Sequence, residues 1–498
     1  MPPEILSLIP TYFTSQKDRF RAASVCRCWR RALLKNGALW AQLFLRKGEG
    51  SVSALLDRAK GSPLDVITHG DVSDGILSLI SPRARQIRHL ELHLNSWKNI
   101  TTFSEFNSGR LPLLRTLKIV SSETYDLDGR HIPSVPPSHL FFGGSPNLEE
   151  FTFNSMRFQF LSRFIFPNLT TFTLSVYPQG KPSASYLFDF LKASPSLRTV
   201  KINTQSRISL SGIPREAVVT LDNVDTFSLG VTNHFPGMDV YDIAARISCP
   251  RARDTSLIQR IDDQDMGTHL DIFSCSDLWG KIVHQYTASP MEEVTLEIQR
   301  VQYEAIRCFF TFRSSDATAL QLEFHIADNE MDEEELLIPL GDMDWEIFSQ
   351  ALATIQGYPL LSHIKRLCIK HNAAPPDDYH LEEEVRELFS SLGPLDELTI
   401  HGCDLRILGT NFVDEISDSE QMVDFPQIKE LKILHPRTEY DGTECMEAIA
   451  KLAESQHALG IPFERVTIRM WIFPEEMVEE LREWVGEVDC CKEWDPEE

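Results

Sequence analysis

These 498 residues contain no C-x-x-C pair, no paired Cys/His ligand spacing and no H-E-x-x-H, so the common spacings of zinc sites are excluded. The ten cysteines are scattered apart from Cys26/Cys28 and Cys490/Cys491. That excludes the framework of a small secreted domain and fits reduced thiols in an intracellular protein, cytoplasmic or nuclear. Nucleophile elbow, Walker-type phosphate loop and Gly-rich dinucleotide turn are missing too, which argues against an enzyme and leaves no cofactor to expect. The pairs His401/Asp404 and His435/Glu439 lack convergent partners and read as surface residues. No stretch approaches about 18 consecutive apolar residues, so no membrane span is expected. The opening Met1-Pro2-Pro3-Glu4-Ile5-Leu6 lacks the basic start of a signal peptide. Cations are in deficit: 48 Lys and Arg face 73 Asp and Glu, for a formal net charge of −25. A polyanion would be repelled, so nucleic acid is not an expected partner.

The cations that do occur are unevenly placed. Residues 1–50 hold nine Lys/Arg against three acids, a net +6, and the rest of the chain carries −31. A small basic module joined to a large acidic one points to two surfaces with different partners.

A repeated phrase fills most of the chain: often a Pro, then an apolar residue, two variable positions, apolar, variable, apolar. It runs through Ile87-Leu90-Leu92, Leu114-Leu117-Ile119, Leu148-Phe151-Phe153, Leu169-Phe172-Leu174, Leu197-Val200-Ile202 and Val224-Phe227-Leu229. It resumes at Met291-Val294-Leu296, Ala317-Leu320-Leu322, Ile364-Leu367-Ile369, Leu395-Leu398-Ile400, Ile428-Leu431-Ile433 and Phe463-Val466-Ile468. Most steps between the middle residues are 21 to 35 residues. A degenerate copy with Thr255 at the centre splits the long gap before Val294. The gap before Leu367 holds an acidic insertion, Asp328–Glu335, and then a candidate helix, Asp344–Gln356.

Side chains alternate along a strand, so the last two apolar residues of each phrase point inward. One repeat cannot bury that edge alone; stacking makes the edges a continuous core. Amphipathic returns at Leu187–Leu191 and Met446–Ala453, each followed by Pro, supply helices. The expected fold is therefore α/β, with parallel strands inside an irregular solenoid over residues 86–473 and helices outside. Residues 46–85 read as a helical linker or cap. Residues 474–498 read as a capping helix with Met477, Leu481, Trp484 and Val488 on one face, plus an acidic tail.

Residues 1–45 read as three short helices. Pro2-Pro3 opens the first, and Ser15-Gln16-Lys17-Asp18 has capping-box spacing for the second. Val25, Trp29 and Leu33 share a face of the next, and Leu39-Trp40 follows Asn36-Gly37. Some 45 residues make a poor core, so apolar groups here should stay uncovered and serve a partner. Leu33 reads as internal packing; Pro2, Pro3, Ile5, Leu6, Ile9 and Trp40 read as interface.

The ordered motifs Pro-Pro-Glu-Ile-Leu, Val-Cys-x-x-Trp and Leu-Trp resemble the F-box, and the Leu-x-x-Leu-x-Leu phrases resemble irregular leucine-rich repeats. Leu55-Leu56, Ala59-Lys60, Ser62-Pro63-Leu64-Asp65 and Leu140-Phe141-x-Gly143-Gly144 are similar to phrases of fungal F-box proteins with repeat tails. The resemblance implies a substrate-recognition adaptor of a Skp–cullin–F-box ubiquitin ligase. It would contact the acidic Skp adaptor through Pro2, Pro3, Glu4, Ile5, Leu6, Ile9, Val25, Cys26, Trp29, Leu39 and Trp40, and through it a cullin. A repeat scaffold with a ubiquitin-independent role is the alternative. In the solenoid reading, outward strand residues line the concave face. Towards its C-terminal end Arg366, Lys370, His401, Lys432, Arg465 and Arg469 form a candidate site for an acidic or phosphorylated segment of a protein substrate, or else are solvated strand residues neutralised by Glu397 and Glu430.

Overall fold

Each recurring phrase folds as a strand, and the middle residues of neighbouring strands lie side by side. The computed structural model describes residues 16–45, 48–68, 72–94, 111–121, 145–154, 161, 165–176, 183–204, 208–214, 217–233, 239–262, 291–301, 305–314, 319–327, 361–371, 388–402, 426–435, 442–470 and 473–492. The chain divides into two units, Met1–Pro214 and Arg215–Glu498. Both are mixed α/β, built on mostly parallel sheet.

In the first unit, helices α1 (Gln16–Val25) and α2 (Arg27–Lys35) and a 3-10 turn (Gly37–Trp40) lead directly into strand β1 (Gln42–Phe44). Then come α3 (Glu49–Ala59), β2 (Leu64–Ile67), α4 (Asp74–Ile80), β3 (Ile87–Leu94), β4 (Thr116–Ser121), β5 (Glu150–Asn154), β6 (Thr171–Val176), α5 (Ala184–Lys192) and β7 (Thr199–Thr204). These strands pair in chain order, all parallel, and the register joins Leu43, Val66, Leu90, Leu117, Phe151, Phe172 and Val200 into one row. Every member of that row is 2% exposed or less. Burying a Leu or Phe fully contributes roughly 1.5–3 kcal/mol, so the row is the main apolar support of the sheet. Phe151, Phe166, Phe172 and Phe190 add ring contacts with centroids 4.5 to 6.0 Å apart.

The turn before each strand is tied to the previous repeat. Asn147 Nδ2 donates to Pro112 O and Asn168 Nδ2 to Pro146 O, both at 2.6 Å, and Ser196 Oγ donates to Pro167 O at 2.8 Å. A Pro-Asn/Ser-Leu turn ahead of the strand thus supplies the tie between these repeats.

Two boundaries differ from expectation. Residues 46–85 are not only a helical linker: β2 lies within them, and the ladder already begins at Gln42 because alternating Leu64 and Val66 offer a buried edge. At the other terminus the ladder continues past the last helix, as described next.

The second unit contains a two-stranded parallel pair, β8 (Val219–Thr220) with β10 (Ile247–Ser248), beside β9 (Thr226–Asn233), α6 (Asp239–Ala244) and β11 (Asp254–Asp262). Then follow β12 (Met291–Val301), β13 (Ala305–Ser314), β14 (Ala319–Ala327), β15 (Arg366–His371), β16 (Leu395–His401), β17 (Ile428–Leu434), α7 (Gly442–Ala458), β18 (Arg465–Met470), α8 (Glu475–Trp484) and β19 (Glu487–Lys492). β9 and β11 are parallel, and so is β11 with β14; β14, β13 and β12 then form an antiparallel meander, after which β12 to β19 is parallel again.

The expected all-parallel order fails here, and the phrases at Val294 and Leu320 exchange places. The reason is connection length. A parallel crossover needs about a dozen residues; Val301 to Ala305 and Ser314 to Ala319 leave only enough chain for hairpins. The apolar row survives the inversion: Phe227, Thr255, Leu320, Phe312, Val294, Leu367, Leu398, Leu431, Val466 and Val488 align across the strands.

The helix over Glu475–Trp484 forms, burying Val478 and Leu481, with Met477 and Trp484 half-buried. It does not end the unit. Val488 leaves the helix face and enters β19, which pairs with β18. The acidic insertion at Asp328–Glu335, the helix at Asp344–Gln356 and the first helix at Pro2–Ile9 lie outside the described residues. No helix among those described is long and apolar enough to cross a membrane.

Candidate partner-binding surfaces

Two regions carry the expected sites, and the structure treats them differently. In the N-terminal module α1 and α2 are separated by Cys26, whose Sγ accepts from the Trp29 backbone N–H at 3.5 Å and caps α2. Leu33 is fully buried, and the Arg30 Nε donates to Ala23 O at 3.1 Å, pinning one helix on the other. Trp40 is 1% exposed: its Nε1–H donates to Leu33 O at 2.9 Å and its ring meets Phe20 at 5.2 Å between centroids. Leu39 is 4% exposed, and its carbonyl accepts from Arg19 at 2.9 Å.

This corrects the expected contact set. Leu39 and Trp40 belong to the chain's own core, because residues beyond 45 add the cover that a 45-residue module lacks. Arg58 of α3 lies 5.4 Å from the Phe20 ring centroid and 5.1 Å from that of Trp40. What stays open is Val25, 68% exposed, with Cys26 exposed, Trp29 half-buried and Leu34 at 36%. Arg21, Arg27, Arg30, Arg31 and Lys35 are exposed around them. Leu34 was not singled out from the sequence, since it falls off the Val25/Trp29/Leu33 face; its apolar character beside four cations was the available signal. Pro2, Pro3, Glu4, Ile5, Leu6 and Ile9 lie outside the described residues.

With these contacts in view, the comparison with known families decides the module. Residues 1–46 match the F-box-like family. The F-box-like domain covers under a tenth of the chain, and no curated protein matches the sequence. Among solved structures, a Bacteroides fragilis protein is similar at 11% identity over 90% of this chain and 73% of its own, with a TM-score of 0.14, too low to inform the fold.

The F-box-like domain is joined to the strand ladder without a spacer. Besides the Arg58 contacts, Gly37 approaches α3 so closely that a Cβ would sit 2.5 Å from Ala59 O and 2.8 Å from Ser62 Oγ.

The second region is the outward face of β15–β18. The register gathers Arg366, Lys370, His401, Lys432, Arg465 and Arg469 on one face, as expected, but delivers each cation beside an acid. Arg366 is 3.3 Å from Glu293, Lys370 3.5 Å from Glu297, Lys432 2.6 Å from Glu397, Arg465 2.6 Å from Glu487 and Arg469 2.8 Å from Asp489. Parallel pairing sets Glu293 opposite Arg366, Glu297 opposite Lys370 and Arg465 opposite Glu487.

Burial works against ionising Glu397, but the hydrogen bonds from Lys432 and Thr399 outweigh it and hold the carboxyl below its ordinary range. His401 is pushed down by burial, then by His435, whose ring centroid is 5.5 Å away, and by Lys370. The row is thus a laced, nearly neutral surface in which each cation already has an acidic neighbour. Among the described residues no group of three or more His, Cys, Asp or Glu is placed to hold a metal ion.

Proposed function

We propose that this chain is a non-catalytic substrate-recognition adaptor of a Skp–cullin–F-box ubiquitin ligase. The F-box-like domain docks the Skp adaptor and through it a cullin; the strand ladder, read as an irregular leucine-rich-repeat solenoid, holds a protein substrate. The family match over residues 1–46 carries this reading. It is supported by the exposed Val25, Cys26 and Leu34 and the half-buried Trp29 of α1 and α2, set among exposed cations, which suit an acidic adaptor by speeding encounter. The in-register apolar row supports the repeat reading. An intracellular location follows from such partners.

Co-expression of the full chain with the Skp adaptor and the cullin, followed by purification through the chain, tests this. Recovery of both supports the ligase role. Adaptor without cullin would favour a ubiquitin-independent complex, and neither would leave a scaffold.

A further inference from the structure

The outward face of β5–β7 contrasts with that of β15–β18. Its residues are Thr152 and Asn154 on β5, Thr171, Thr173 and Ser175 on β6, and Thr199 on β7, all half-buried. They stand in register: Thr171 between Glu150 and Thr199, Thr173 between Thr152 and Lys201, Ser175 between Asn154 and Asn203. None of the six side chains makes a hydrogen bond or ion pair among the described residues. Among the described residues, the charges at the outward positions of β5, β6 and β7 are Glu150 and Lys201, which cancel, and the neighbouring Lys118 of β4 is paired with Glu91. A sheet face with its hydroxyl and amide groups uncommitted to the protein offers hydrogen bonds to a ligand, and without net charge it gives an anion no Coulombic advantage.

A cleft of about 720 Å³ adjoins this face where β2 to β5 begin. Its charges also cancel in pairs: Arg88 lies 2.9 Å from Asp65 and Arg115 3.3 Å from Glu149. Leu113, 44% exposed, gives it an apolar wall, and Thr116 connects it to Thr171 across Glu150. A volume of this size accepts a side chain with its flanking backbone. Aromatic side chains, on which sugars stack, are absent from the outward positions of β5, β6 and β7.

We infer that the substrate segment held by the first unit is an extended, unphosphorylated peptide of near-zero net charge, rich in Ser, Thr, Asn or Gln, with one aliphatic side chain seated against Leu113. This rests on the adaptor reading only in naming that segment a substrate.

The test uses the full chain and an array of synthetic 12-residue peptides, each with a central Leu among Ser, Thr, Asn and Gln, printed unmodified and with two phosphoserines. Unmodified peptides should be retained at least tenfold more strongly. The double variant Thr152→Ala/Thr173→Ala should lose that preference, Thr152→Ser/Thr173→Ser should keep it, and Leu113→Asp should weaken retention of all Leu-containing peptides. Stronger retention of phosphorylated peptides, retention of neither set, or an unchanged alanine variant would each overturn the inference. Skp adaptor capture is measured in parallel. Its loss with the peptide preference intact would sink the ligase role and leave the peptide surface standing.

Discussion

The Trp40 indole donates its N–H to the Leu33 carbonyl at 2.9 Å, so the last turn of the F-box-like domain is anchored to its preceding helix inside the chain's own core. Replacing Trp40 by Ala removes a fully buried aromatic, the bond to Leu33 and the platform under Arg58. A loss of about 3–5 kcal/mol is expected, read as a lower urea midpoint at unchanged slope. Stability within 0.5 kcal/mol of wild type would return Trp40 to the surface.

Gly37 tests the junction between the domain and the ladder. Its Cβ position collides with the Ala59 carbonyl, a backbone atom that cannot swing aside. Gly37→Ala should therefore destabilise by about 1–3 kcal/mol. It should also raise proteolysis between residues 35 and 60, since the turn must lift from α3. Unchanged midpoint and cleavage would contradict the close approach.

Thr255 occupies a core position in the apolar row, fully buried between Phe227 and Leu320, and its Oγ1 has no hydrogen-bond partner among the described residues. Leaving a buried hydroxyl unmatched costs about 1–3 kcal/mol. Thr255→Val should raise stability, by about 1 kcal/mol after imperfect repacking; a fall would mean that the hydroxyl is satisfied.

Glu397 should impose a pH dependence. Its carboxyl is held below the ordinary range in the folded chain. Its contribution is therefore complete above the unfolded value of about 4.3, and is lost as pH falls through the lower folded value. The stability gap between wild type and Glu397→Gln should narrow below that pH. Parallel melting-temperature curves from pH 7 to 3 would refute the pairing with Lys432.

Strand identity was legible in the sequence because the inward positions of each phrase must be apolar whichever neighbour they meet. Leu90, Leu117, Phe151, Phe172 and Val200 needed only their spacing. Neighbour order was not legible in the same way. Val294 and Leu320 carry ordinary phrases, and only the shortness of the chain around Ala305–Ser314 forces the inversion; that strand shows no phrase of its own because it runs antiparallel.

Among site residues, Val25 came from the F-box resemblance rather than from its spacing, and it stands exposed. The burial of Trp40 was not legible, since part of its cover comes from Arg58, beyond the first 45 residues. The cations of β15–β18 were visible one by one, but their neutralisation depends on cross-strand register, which sets Glu293 and Glu487 opposite Arg366 and Arg465. The turn asparagines Asn147 and Asn168 went unread because their partners are carbonyls of the preceding repeat.

Docking through the exposed apolar residues of α1 and α2 is tested most directly by capture of purified Skp adaptor on the immobilised full chain, wild type against Val25→Asp/Leu34→Asp. Both positions are exposed, so folding should change by under about 0.5 kcal/mol each. Capture should fall at least tenfold, with the melting temperature unaltered. Capture at the wild-type level by the folded double variant would contradict adaptor docking at this surface.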